Sequence, residues 1–263
     1  MGKQKLEAQF ETVLARGDQA FVPYIMAGDG GMEETEKRLA FLEACGATAI
    51  ELGIPFSDPV ADGPVIQAAG LRAFKAGTTM KKVLDHLKAH PRQVPIILMT
   101  YFNPVFAYGL EKFAADCANA GVDGLIIPDL PIEEEEEIAG ELAKCGLALI
   151  RLAAITSPKD RLEEIASRSD GFLYAVTVTG TTGTRTNFHD NIEDYLDFLS
   201  SISRVPVLAG FGVSSPEQVR RLTRYCSGVV AGSKIIELFQ HGETEKIRAL
   251  VESAKQQAAP NQL

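Results

Sequence analysis

The feature that most constrains this chain is a repeated alternation of short, unbroken apolar runs with stretches of helical periodicity. The runs are Phe21–Ala27, Ala49–Ile54, Pro95–Tyr101, Gly124–Pro128, Ala148–Ala154, Phe172–Val178, Pro206–Ala209 and Gly228–Ala231, eight in all. Continuous apolar runs, as opposed to alternating ones, are what parallel strands need when both faces of a sheet are covered. Between them, amphipathic patterns predict helices over Glu33–Cys45, Thr79–His90, Leu110–Ala120, Ile132–Cys145, Pro158–Ser167, Ile192–Ser200 and Pro216–Cys226. After the last run come a short helix, Lys234–Phe239, and a longer one, Thr244–Gln257. Thr156-Ser157-Pro158 and Ser214-Ser215-Pro216 each set a hydroxyl before a proline, the chemistry of a capped helix start.

Eight strands alternating with helices in a chain of 263 residues predict a single (β/α)8 barrel domain over residues 1–263. Residues 2–16 form an extra N-terminal helix closing the barrel floor, and Ala258–Leu263 a frayed tail. The competing doubly wound sheet wants Gly-x-Gly-x-x-Gly after its first strand. The chain instead reads Ala27-Gly28-Asp29-Gly30-Gly31, and no linker divides it.

Composition narrows the function classes. With 26 basic and 35 acidic residues the net charge is −9, and no basic run suggests nucleic acid or an anionic membrane as partner. No stretch approaches the length of a transmembrane helix, and the polar N-terminus, with Glu7 and Glu11, is read as a mature cytoplasmic start. Cys45, Cys117, Cys145 and Cys226 contain no Cys-x-x-Cys pair and are expected to be free thiols. His86 and His90 share a helical face, but without a third ligand they do not predict a metal site. Glu133–Glu137 are expected to form a solvated first helical turn.

Barrel active sites are built from strand C-termini and the loops that follow. Glu51 interrupts the second apolar run. Aimed into the barrel it would lose hydration, and its pKa would rise into the range useful for proton transfer. The alternative is that it is exposed, or pairs with a neighbour such as Arg151. The loop Gly53–Pro64 holds three prolines and two aspartates, so it is stiff; Asp62 is either a second site carboxylate or a turn residue before a helix opened by Gly63-Pro64. Gly210-Phe211-Gly212-Val213-Ser214 and Gly232-Ser233, with the short helix behind, have the make-up of a phosphate cradle. Thr179-Gly180-Thr181-Thr182-Gly183-Thr184-Arg185 has that of a mobile lid. Tyr101, Tyr174 and Phe211 end three runs and could line a pocket for a flat ligand. The residues alone thus point to a barrel enzyme that handles a phosphorylated small molecule by acid–base chemistry, without a metal.

The segment Glu51–Gln67, ELGIPFSDPVADGPVIQ, resembles the defining segment of the tryptophan synthase alpha subunit family. The likeness covers nearly the whole chain: Phe21–Ile25, Gly121–Gly124, Val178–Gly183, Gly210–Ser214 and Gly232-Ser233 fall in family order. It implies retro-aldol cleavage of indole-3-glycerol phosphate to indole and glyceraldehyde 3-phosphate. Glu51 would be the general acid/base, and Asp62 would hydrogen-bond the indole N–H. Gly183, Gly212, Gly232 and Ser233, with Thr182 beside them, would hold the phosphate, and Tyr101, Tyr174 and Phe211 would touch the indole and glycerol. Ile126 and Ile150 would add apolar lining. The implied partner is a beta subunit in an alpha2-beta2 assembly, contacting loop 53–62 and the lid. Pyridoxal phosphate would belong to that partner and no cofactor to this chain. The chain departs from the family at Pro128, where a smaller residue is common, and in the lid residues Thr184-Arg185-Thr186. Three other readings are a stand-alone lyase releasing free indole, a non-catalytic subunit that activates a partner, and a different phosphate-binding barrel such as a sugar isomerase. Intact Glu51 and Asp62 argue against the second, and the Glu51–Gln67 segment against the third.

Overall fold

In a computed structural model, whose described residues are 2–176, 192–210 and 212–255, each apolar run overlaps a strand. In chain order the elements are α1 (Gly2–Ala15), β1 (Ala20–Met26), α2 (Met32–Cys45), β2 (Ile50–Gly53), α3 (Pro64–Lys75), α4 (Met80–Ala89), β3 (Ile96–Met99), α5 (Phe102–Tyr108), α6 (Leu110–Asn119) and β4 (Gly124–Ile126). There follow α7 (Glu136–Lys144), β5 (Ala148–Ala154), α8 (Lys159–Arg168), β6 (Leu173–Val176), α9 (Ile192–Ile202), β7 (Val207–Gly210), α10 (Pro216–Leu222), β8 (Gly228–Ala231), α11 (Ser233–Gln240) and α12 (Thr244–Glu252). All eight strands are parallel and pair in sequence order, and β8 closes on β1 with Ala20 opposite Gly228 and Pro23 opposite Ala231. Thr177 and Val178, the end of the sixth predicted run, lie outside the described residues.

Because side chains alternate across a strand, each run feeds two cores. Phe21, Ile25, Ile50, Leu52, Leu98, Leu125 and Leu173 face outward against the helices. Val22, Tyr24, Met26, Ile97, Met99, Ile126, Ile150 and Leu208 fill the barrel interior. That double burial is why the runs read as continuous and not alternating. α1 plugs the floor as expected: buried Leu6 and Phe10 join the interior core, and the Phe10 ring lies 5.5 Å from that of Phe172. Truncating Phe10 to alanine would cost about 3–5 kcal/mol.

Several local expectations change. α3 opens at Gly63-Pro64 as expected, although its buried face holds only small residues (Ala69, Gly70, Ala73); α5, which was not anticipated, is seven residues long with Pro104 inside it. Ser215 does cap α10, accepting from the Gln218 N–H at 3.3 Å. The start of α8 differs, because Pro158 itself takes the N-cap place and no side chain caps that helix. The helix predicted from Ile132 begins only at Glu136, and Glu135 is not solvated. Its carboxylate is buried, accepts from Arg151 Nε at 2.7 Å and Nη2 at 2.9 Å, and also pairs with Arg168.

Candidate active site

The inner face of β2 is set by its alternation: Ile50 and Leu52 pack outward, so Glu51 points into the barrel. It is 3% exposed, and its Oε2 has no hydrogen-bond partner among the described residues. The pairing with Arg151 considered from sequence does not form, since that arginine lies on the outer face of β5 and is taken by Glu135. Burial, with a smaller contribution from the charge of Asp62, pushes the Glu51 carboxyl up to about 8. At neutral pH it therefore holds its proton.

Asp62 enters from the loop between β2 and α3. The loop is fastened by Tyr101, which follows β3: its hydroxyl accepts from the Ala61 N–H at 3.0 Å and bonds the Asp62 carboxylate. The Tyr101 ring stacks on Phe56 with centroids 5.0 Å apart. Gln67 donates to the Asp62 carbonyl at 2.8 Å, and the Asp62 N–H bonds the Pro59 carbonyl at 3.1 Å. Burial pushes the Asp62 carboxyl up to about 6, held back by the Tyr101 hydrogen bond. Asp62 does not cap α3, whose N-cap is Gly63 without a side-chain bond.

These groups share a cavity of about 600 Å³ at the strand C-termini, lined by Tyr24, Glu51, Asp62, Ile66, Met99, Ile126, Pro128, Leu152, Tyr174, Gly210 and Gly232, among others. Its volume suits a small organic ligand. Glu51, Asp62, Tyr174, Ile126 and Gly232 are thus brought together. Tyr101 does not line the cavity but braces its loop, and Ile150 sits in the interior core, with Leu152 taking the lining place. Tyr174 lies within β6 and not at its end, against Gly210, where a Cβ would overlap its ring. Burial, then the charge of Glu51, pushes its hydroxyl well above the usual range.

At the other side of the mouth Gly232 caps α11, and Ser233 is its first residue. Gly212 has φ +63°, a left-handed conformation that favours glycine, and open space where a Cβ would stand. It is two residues beyond the cavity wall at Gly210. Thr182, Gly183 and Phe211 lie outside the described residues, as does the rest of the predicted lid.

Sequence reasoning missed Tyr24, Met99 and Leu152. Tyr24 carried a usable signal, a hydroxyl within an otherwise apolar run, which is the same argument that found Glu51. It also missed the third group beside the histidines: Glu36 Oε2 lies 3.0 Å from His86 Nε2, with His90 stacked on His86 at 4.3 Å. Glu36 is, however, an ion-pair partner of Arg92, which also bonds Glu43. A divalent cation would have to sit beside that guanidinium, so an ion-pair network linking α2 and α4 accounts for the cluster.

A closed (β/α)8 barrel whose mouth holds one desolvated carboxylate and a second on a braced loop presents the groups that an acid–base barrel enzyme would use. Comparison with known proteins makes this specific. The family described as tryptophan synthase alpha chain matches residues 10–262. A tryptophan synthase alpha chain from Oceanobacillus iheyensis is 55% identical over 253 residues, covering 95% of this chain and 97% of that relative. A solved structure from Aquifex aeolicus superposes with a TM-score of 0.88 at 33% identity, over 96% of this chain and all (100%) of that one. A structure of Mycobacterium tuberculosis tryptophan synthase gives 0.87 at 30% identity, over 96% and 98%. The chain belongs to the tryptophan synthase alpha chain family. Among the described residues, no helix is long and apolar enough to cross a membrane.

Proposed function

We propose that Glu51 and Asp62 divide the proton chemistry of the lyase reaction that this alpha chain performs in tryptophan biosynthesis, cleavage of indole-3-glycerol phosphate to indole and glyceraldehyde 3-phosphate. The observation that carries this is the Glu51 carboxyl, buried on the inner barrel wall and unpartnered at Oε2, a burial that pushes it up to about 8.

The protonated Glu51 delivers its proton to indole C3. Asp62, ionised above about pH 6, accepts the indole N–H and stabilises the positive charge that appears on the ring. Glu51, now a carboxylate, takes the proton of the glycerol hydroxyl next to the ring. The C–C bond breaks, its electron pair restores the aromatic indole, and the aldehyde leaves. Each cycle returns Glu51 to its starting state. The phosphate is taken by Gly232 and Ser233 at the N-terminus of α11, by Gly212, and by Thr182 and Gly183, which lie outside the described residues. Tyr174 and Phe211 flank the indole and glycerol. Pro128, where a smaller residue is common in the family, stands in the cavity wall.

The whole chain acts as one barrel domain, in the cytoplasm, beside a beta subunit in an alpha2-beta2 assembly. Val60, 84% exposed on the stiff loop, and Phe106, 65% exposed on α5, are apolar side chains at the mouth suited to such a partner. The four free thiols suit a reducing compartment. Pyridoxal phosphate is assigned to the beta subunit: no lysine, the residue that carries it as a Schiff base, stands among the described lining residues.

The test is indole release from indole-3-glycerol phosphate by the purified chain, with and without a beta subunit. Slow release that rises steeply with the partner is expected. Fast release by the chain alone would instead indicate a stand-alone lyase, and no release in either condition would overturn the reading.

A further inference from the structure

The hydroxyl of Tyr24 stands in the wall of the same cavity, has no part in the steps above, and has no hydrogen-bond partner among the described residues although Tyr24 is only 3% exposed. A buried, unsatisfied hydroxyl weakens the fold, so its retention calls for an occupant that completes it. Three features of the structure say where that occupant lies.

The first is register. Tyr24 on β1 is paired with Glu51 on β2, and both side chains point inward. Two buried polar atoms on neighbouring strands, the Tyr24 hydroxyl and Glu51 Oε2, face one cavity without bonding each other. The second is the direction of the ring. A Cβ at Gly53 would overlap the Tyr24 hydroxyl, so the ring leans over β2 toward its C-terminal end, past Glu51 and toward the mouth. Glycine at that position leaves the slot in which the hydroxyl fits. The third is electrostatic. Beyond burial, the charges that push the Tyr24 hydroxyl upward are those of Asp62 first and Glu51 second. The group feels the charge of both carboxylates and stays a proton donor at any working pH.

We infer that Tyr24 donates a hydrogen bond to the glycerol oxygen of the substrate whose proton Glu51 removes. The inference deepens the proposed function and rests on it. As the O–H proton passes to the Glu51 carboxylate, negative charge gathers on that oxygen before the C–C electron pair withdraws into the protonated indole ring. A fixed donor on the barrel wall stabilises the charge where it develops. The C–O bond becomes the aldehyde C=O, and Tyr24 keeps its proton, so nothing further need enter or leave. Tyr24 is on this account a catalytic residue.

The experiment is Tyr24→Phe, read in three ways: turnover of indole-3-glycerol phosphate, binding of an indolylpropyl phosphate that lacks both glycerol hydroxyls, and thermal unfolding. The expected result is a fall in kcat of about 100-fold, in line with the loss of one transition-state donor, with KM changed far less. Affinity for the analogue should stay within about twofold, since it offers the hydroxyl nothing to bond. The Tm should be equal to or above that of the wild type, because an unsatisfied buried group is removed. Retention of kcat within about threefold would overturn the inference, and so would equal weakening of the analogue, which would make Tyr24 a packing residue. Loss of all release already in the wild type would instead overturn the assignment of Glu51, and the inference with it.

Discussion

Two buried carboxylates stand at opposite ends of the same barrel, each 3% exposed, and the protein treats them differently. At the floor, Asp123 precedes β4 and accepts from the Ile96 N–H at 2.8 Å and the Lys5 ammonium at 3.0 Å. Burial pushes its carboxyl up, but those two donors pull it back. At the mouth, Glu51 has a bare Oε2, and the nearby charge of Asp62 adds to the effect of burial. The floor uses a carboxylate as a rivet, tying α1 to the start of β3. The mouth keeps one unsatisfied, as the proposed acid/base role requires. Stability and reactivity are distributed along one barrel axis.

The comparison can be broken from its strong end first. Glu51→Gln should lower indole release by about 10³–10⁴-fold, the span of a lost general acid/base, while a phosphate analogue binds nearly as before. The same variant should gain stability at alkaline pH. The folded-state pKa of Glu51 lies above its unfolded value of 4.5, so its contribution is intact below that pH and lost as pH rises toward about 8. The amide of the variant does not titrate and has no such loss, and the Tm difference between variant and wild type should widen over that window. Asp62→Asn should cost about 100-fold in kcat through the missing countercharge, measured by the same assay. At the floor the outcome reverses. Asp123→Ala leaves a buried N–H and an ammonium unpaired and should lower stability by about 3 kcal/mol, or roughly 5–10 °C in Tm, with kcat of the folded protein unchanged. Smallest is Tyr101→Phe. It frees the Ala61 N–H and the Asp62 carboxylate and should cost less than about tenfold in turnover, with Asp62 titrating higher once its hydrogen bond is gone.

The barrel was legible because its strands are buried on two faces, and that burial writes itself into local sequence. Glu51 was legible for the converse reason, as a charge where the pattern forbids one. The start of α3 was legible in Gly63-Pro64 but its extent was not, because Ala69, Gly70 and Ala73 make its buried face of small residues that carry little apolar signal. The Glu133–Glu137 run looked uniformly solvated because Arg151 and Arg168, which bury Glu135, arrive from β5 and α8. No local window contains them. Tyr101 was visible as an aromatic at a strand end, but its work in bracing the Asp62 loop depends on a bond across forty positions of sequence. Tyr24 was readable by the argument used for Glu51, yet attention to strand ends passed over the strand interior.

The account turns on Glu51 holding its proton at neutral pH, and a carboxyl titration tests that most directly. The difference infrared spectrum of wild type minus Glu51→Gln, followed from pH 4 to 10, isolates this one group. A protonated-carboxyl C=O band that persists through pH 7 and disappears with a midpoint of about 8 is the predicted result. A midpoint in the ordinary carboxylate range near 4.5 would contradict it: Glu51 would be ionised in the resting enzyme and could not deliver the first proton.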